Sequence, residues 1–180
     1  EQNTISSGTA LGGIHWGIAY DGKHVFAPIA DPPGRRKGYN ARPALHALDP
    51  ETGKVLWTKT ISASCEFDMK KYVAALKAGE RPDCSRTRGL SAPPTVADDV
   101  VFVGNLEGMY RAFHAATGKL LWESNTNIPY QGINGVEGHG GAIDSNGSII
   151  SDGRVFIQSG YSLFGQLPGN VLLQYTVDGQ

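Results

Sequence analysis

The residues able to do chemistry in this chain are few, and they sit in short stretches rich in glycine or proline. His139 lies within Glu137-Gly138-His139-Gly140-Gly141. Three glycines there allow backbone to approach a ligand closely, and the imidazole supplies a titratable donor or acceptor. The same glycines equally suit a flexible loop that needs them for its turns. Glu137 and Asp144 are the nearest carboxylates. Either offers a hard oxygen ligand, but no cluster has the spacing of a Ca²⁺ site; a solvated Glu and a turn Asp are the plainer alternatives. Cys65 and Cys84 are the two cysteines of the chain. They read as one disulfide in an exported protein, or as two thiols in a reducing compartment. The chain contains no P-loop, no Gly-x-Gly-x-x-Gly, no His-Glu-x-x-His, no Cys-x-x-Cys and no Gly-x-Ser-x-Gly.

The elements that must position these residues come from a repeat. Ala44–Trp57 and Arg111–Trp122 are two versions of one phrase, with Gly53 and Gly118, and likewise Trp57 and Trp122, 65 positions apart. Each copy is a strand, a polar turn that suits Gly at φ > 0, and a second strand ending in or near a Trp large enough to dock one unit on the next. Val171 to Gly179 is a degraded third copy that lacks the closing strand and its Trp. Gly17–Phe26, Pro93–Phe102 and Gly147–Phe156 align as the inner hairpins of the same units. About four strands per unit is the content of one propeller blade. The fold class is therefore all-β, a propeller segment of about three four-stranded antiparallel blades in one partial domain over 1–180. Its approximate repeats are 10–60, 87–125 and 138–180, with a helical insertion at 65–84. In that insertion Met69, Tyr72, Val73 and Leu76 recur at helical spacing, Glu66 and Asp68 favour the N-terminus and Gly79 the stop.

Composition agrees with many short strands: 24 Gly, 10 Pro, 18% charged and 40% hydrophobic residues. A net charge of −1 argues against a broad basic face for nucleic acid. No apolar run approaches the ~20 residues needed to span a bilayer. Glu1 opens a polar stretch and no signal peptide is visible, so any targeting segment is expected to have been removed or to lie outside this chain. Propellers typically need 4–8 blades to close. Three blades are thus expected to be a segment of a larger ring, whether as a fragment, a processed chain or one partner of a split protein.

Ala47, Asp49, Thr52, Gly53, Lys54 and Trp57 resemble the tryptophan-docking motif of quinoprotein dehydrogenases; the second copy keeps Ala112, Thr117, Gly118, Lys119 and Trp122, with His114 in the Asp position. Gly12–Gly17 with Asp21–Phe26 resembles the segment that opens a late blade in those enzymes. Asn134–Asp144, Ser159–Tyr161 and Pro168–Leu173 are similar to the C-terminal region of polyvinyl alcohol dehydrogenases. The resemblance implies an eight-bladed propeller that oxidises an alcohol, a polymeric secondary alcohol included. Pyrroloquinoline quinone (PQQ) is then the hydride acceptor, with Ca²⁺ as Lewis acid. Trp16 stands where the family's cofactor-reaching Trp stands, and His15 where many members have Asn, its ring able to donate to a PQQ carboxylate or to lie at the surface. His139 and Gly140 complete the cofactor-binding set. The family's catalytic Asp and its metal ligands lie on other blades, so no general base and no metal ligand is assigned. The implied partners are the remaining blades or a partner chain, the alcohol and a cytochrome c acceptor, in the periplasm or outside the cell. The competing class is a cofactor-free propeller with the same docking repeats, serving as an assembly or binding scaffold.

Overall fold

The computed structural model describes residues 11–31, 37–38 and 40–178. Three antiparallel sheets follow one another along the chain. Blade one is β1 (Ala19–Tyr20), β2 (Val25–Ile29), β3 (Ala44–Leu48) and β4 (Val55–Thr60), in that spatial order. Helix α1 (Met69–Ala78) follows, then blade two: β5 (Thr95–Ala97), β6 (Val100–Gly104), β7 (Met109–His114) and β8 (Leu120–Asn125). A separate hairpin, β9 (Pro129–Gln131) with β10 (Glu137–His139), precedes blade three: β11 (Ile149–Ser151), β12 (Arg154–Ser159) and β13 (Val171–Tyr175). The third blade thus has three described strands where the repeat calls for four. Its β13 keeps the free edge that β4 and β8 cover in the other blades.

The 65-residue recurrence is a structural recurrence. Ala47 faces Trp57 and Ala112 faces Trp122, and both hairpins shift register immediately after that alanine. Gly53 and Gly118 turn at φ +69° and +64°. Asp49 caps the first turn by accepting from the Glu51 and Thr52 N–H groups, each at 2.9 Å. In the second copy the His114 ring takes this over, its Nδ1 accepting from Ala116 N–H at 3.2 Å. The His-for-Asp departure therefore preserves the turn with a ring nitrogen in place of a carboxylate oxygen.

Docking between blades also repeats. Trp57 donates through Nε1 to Ala115 O of blade two at 2.8 Å and packs with a core of Phe26, Leu45, Val101, Val103 and Phe113. One blade on, Trp122 lies edge-on to Tyr175 at 5.0 Å, beside Tyr110, Ile157 and Val155. Leu45, Tyr110 and Leu172 occupy the same register position in the three blades, opposite Pro28, Gly104 and Gln158. Their exposures are 0%, 1% and 73%. The position is a core site wherever a following blade covers it.

His46 on β3 is 7% exposed; its Nδ1 meets Thr58 Oγ1 at 2.9 Å and its Nε2 has no partner among the described residues. Burial lowers its pKa from the ordinary 6.5. Below about 6.5 the unfolded chain takes up a proton that the folded chain resists, so this contribution is present above that pH and lost as pH falls toward the folded value. Unfolding free energy is expected to decline between pH 7 and pH 5, with a shallower decline in His46→Gln. An unchanged slope in denaturant titrations of the two proteins would count against His46 as the titrating group.

Antiparallel succession sends the long connections of every blade to one end. They bond there to one another and to the short β6–β7 turn: Leu106 N–H to Gly89 O at 3.0 Å, Ile143 N–H to Asn105 O at 3.0 Å and Arg86 N–H to Gly165 O at 3.2 Å. The opposite end carries only tight turns. Chemistry supported by several blades belongs at the loop end.

Candidate functional site

His15, in the segment before β1, is fixed by a hydrogen bond between Nδ1 and the buried Ser91 Oγ at 2.7 Å. Ser91 belongs to the long connection between blades one and two. This leaves Nε2 as the ring atom free for another partner. Trp16 is tilted on the His15 ring, centroids 4.6 Å apart, and is 44% exposed. It is a platform open on one side rather than a core residue. Beside His15 runs a cleft of about 540 Å³ that Arg86, Thr87 and the Leu163–Gly165 loop of blade three also line. Its volume is that of a small-molecule site. Thr87 is 3% exposed and its hydroxyl has no partner among the described residues.

His139 ends β10 and lies outside the residues lining that cleft. Its N–H donates to Asn170 Oδ1 at 2.9 Å, and its Nδ1 donates to Gly140 O at 2.6 Å. Gly140 is glycine for a reason internal to the protein: a Cβ there would come within 1.7 Å of Thr126 O. Asp144 is buried at 4% exposure, accepting from Gln166 Nε2 at 2.9 Å and from Ser145 N–H at 2.8 Å, while Glu137 is exposed on β10. Neither joins a cluster of metal-binding side chains among the described residues.

The insertion braces this end. Cys65 and Cys84 are joined in a disulfide. Asp68 caps α1 by accepting from Lys70 and Lys71 N–H, and Gly79 ends it at φ +71°. Only one of the four residues of the apolar stripe is engaged: Tyr72 meets Phe67 and donates to Gly165 O at 3.3 Å, whereas Met69, Val73 and Leu76 are 48%, 38% and 53% exposed. Arg81, just past the helix, donates to Asn127 Oδ1 at 2.5 Å, to Gly140 O at 2.7 Å and to Pro168 O. One guanidinium thereby ties the insertion to the His139 loop and to blade three, and burial lowers its pKa. Glu107, 2% exposed in the β6–β7 turn, accepts from Ser64 N–H at 3.0 Å and lies 3.6 Å from Cys65 Sγ. Cys65, Cys84 and Glu107 gather within metal-ligating distance. In the disulfide form only the carboxylate of that trio is a donor. Sequence reasoning missed Arg81, Arg86, Thr87 and Glu107. The basic and hydroxyl-rich run Cys84–Gly89 was the one available signal.

Three sheets with this register and Trp docking are successive blades of a β-propeller. A family model described as outer membrane protein assembly factor BamB matches residues 2–143 and 68–178, and the chain belongs to this PQQ-type propeller family. It is 32% identical, over 98% of its length, to a polyvinyl alcohol dehydrogenase of a Pseudomonas species and 30% identical, over 99%, to one of Sphingopyxis sp. strain 113P3. It spans about a quarter of the length of these relatives, 26% and 27%. A quinohemoprotein alcohol dehydrogenase of Pseudomonas putida HK5 shares the fold at TM-score 0.56 and 17% identity, covering 92% of this chain and 25% of that one. Among the described residues no helix is long and apolar enough to cross a membrane.

Proposed function

We propose that this chain is part of a PQQ-dependent alcohol dehydrogenase and forms one sector of its cofactor site. The observation that carries the reading is the His15–Ser91 bond with Trp16 on the His15 ring, beside a cleft whose wall holds an unpartnered buried hydroxyl. A flat, multiply anionic quinone needs an aromatic surface and donors, and these residues fit that need. PQQ, when bound, supplies the ortho-quinone that accepts hydride from the alcohol. Trp16 supports the ring system. His15, oriented by Ser91, offers Nε2 to a polar edge. Gly140 shapes the neighbouring loop and His139 holds it to Asn170. The general base and the Ca²⁺ ligands come from blades outside these 180 residues. Residues 1–180 are then one partial domain of an eight-bladed ring, exported from the cytoplasm. The likeness to polyvinyl alcohol dehydrogenases supports a polymeric secondary alcohol as substrate, and a cytochrome c serves as electron acceptor.

A second reading, a cofactor-free propeller that binds other proteins, draws on the BamB description of the family model and on the exposed Met69–Val73–Leu76 stripe. A PQQ titration with Ca²⁺, followed by absorption, separates the two. Trp16→Ala is expected to weaken PQQ binding by at least about fivefold, the equivalent of about 1 kcal/mol of lost stacking, with an unchanged melting temperature. Normal PQQ affinity in that variant would remove Trp16 from the site. No PQQ binding by the parent protein would favour the scaffold.

A further inference from the structure

We propose that the cleft beside His15 contains a carboxylate-binding subsite in which Arg86 and Thr87 take the anionic edge of a planar aromatic acid. The inference rests on the reading that this end of the propeller receives a carboxylated quinone, and it names the residues that would hold its charge. The supporting feature is a surplus of donors. Arg86 makes no side-chain hydrogen bond or ion pair among the described residues, in contrast to Arg81 with three acceptors and Arg111 on Glu123 at 3.2 Å. Among the described residues no acidic side chain lines the cleft. The Thr87 hydroxyl is buried and has no partner among the described residues, which is rare for a group that bonds so readily.

The Arg86 stem is positioned by its surroundings. Arg86 N–H bonds to Gly165 O at 3.2 Å, and a Cβ at Gly165 would meet Arg86 Cδ and Cβ at 3.4 and 3.5 Å, so the Arg86 stem lies along this glycine. A carboxylate can then engage the planar fork with two parallel bonds, which an ammonium cannot reproduce. The opposite requirement, a flat apolar body, is met by Leu163 and Phe164. Both line the cleft and are 67% and 57% exposed. Solvent-facing aromatic and aliphatic side chains at the rim of a cationic cleft match a ligand with an acid at one end and a ring at the other.

The test uses pyridine-2,6-dicarboxylate as a small probe, PQQ as the large one and sulfate as an anion without a ring, each titrated calorimetrically into the full protein. The parent is expected to bind the dicarboxylate saturably and more tightly than sulfate. Arg86→Ala should weaken it by at least about tenfold, with Arg86→Lys between the two because the fork is lost while the charge stays. Thr87→Val should weaken it by a smaller factor. Thermal melts of the variants show whether each is folded; Arg86 is exposed, so its removal leaves the fold intact. Absent dicarboxylate binding, or an affinity indifferent to Arg86→Ala, overturns the subsite whatever PQQ does. Dicarboxylate binding that depends on Arg86, in a protein that ignores PQQ, upholds the subsite and refutes the cofactor reading instead.

Discussion

Trp57→Ala is expected to lower the unfolding free energy by about 3–5 kcal/mol, the range for large aromatic truncations in packed sites. The side chain fills the junction of blades one and two and donates to Ala115 O. Truncation opens a cavity and leaves that carbonyl without its indole partner. Gly118 provides a sharper version of the same test. It turns at φ +64°, and a Cβ on it would lie 2.8 Å from the Trp57 ring. Gly118→Ala therefore carries two penalties: a left-handed backbone imposed on an L-residue, and overpacking against the indole of about 1–3 kcal/mol. In the Trp57→Ala background the second penalty vanishes. A double-mutant cycle by urea denaturation should show coupling of that size. Additive effects would mean that the indole does not rest on this turn.

Loss of the Cys65–Cys84 disulfide is the second large expected effect. The bridge closes a 19-residue separation, and its removal should cost about 3 kcal/mol through the entropy regained by the unfolded chain. Cys65→Ser should be destabilised by this amount relative to the oxidised parent, and a reductant should bring the parent down to the variant. Because α1 and Arg81 lie between the two cysteines, the loss should be visible locally as well. Proteolysis is expected first within residues 66–83, followed by faster hydrogen exchange around Gly140 and Pro168, the carbonyls that Arg81 holds. Equal stability with and without reductant would show that the blades alone, without the brace, set the stability.

The contrast between these two sites explains what could be read from the amino acids. The blade repeat was legible because its causes are local. Alternating apolar residues, a turn glycine and a cap act within a dozen residues, so Ala44–Trp57 and Arg111–Trp122 announce the same hairpin wherever they stand. Helix α1 was legible for the same reason, since Asp68 and Gly79 cap it from within their own segment. The PQQ-type family was suggested by the resemblance of these residues to its docking motif, and the family match bears it out. Which face of α1 is buried was not legible. A helical period marks an apolar stripe but cannot say what lies opposite it, and three of its four apolar residues remain largely open. The candidate site was less legible still. His15 meets Ser91 from 76 positions away, and Arg81 reaches Pro168 across 87. Those pairings exist only because successive antiparallel blades deliver their long connections to one end. A single residue type carries no sign of that encounter. The sequence alone determined the blades and their order, through short-range sterics and hydrogen bonding; the stacking of those blades alone decided which donors share a cleft.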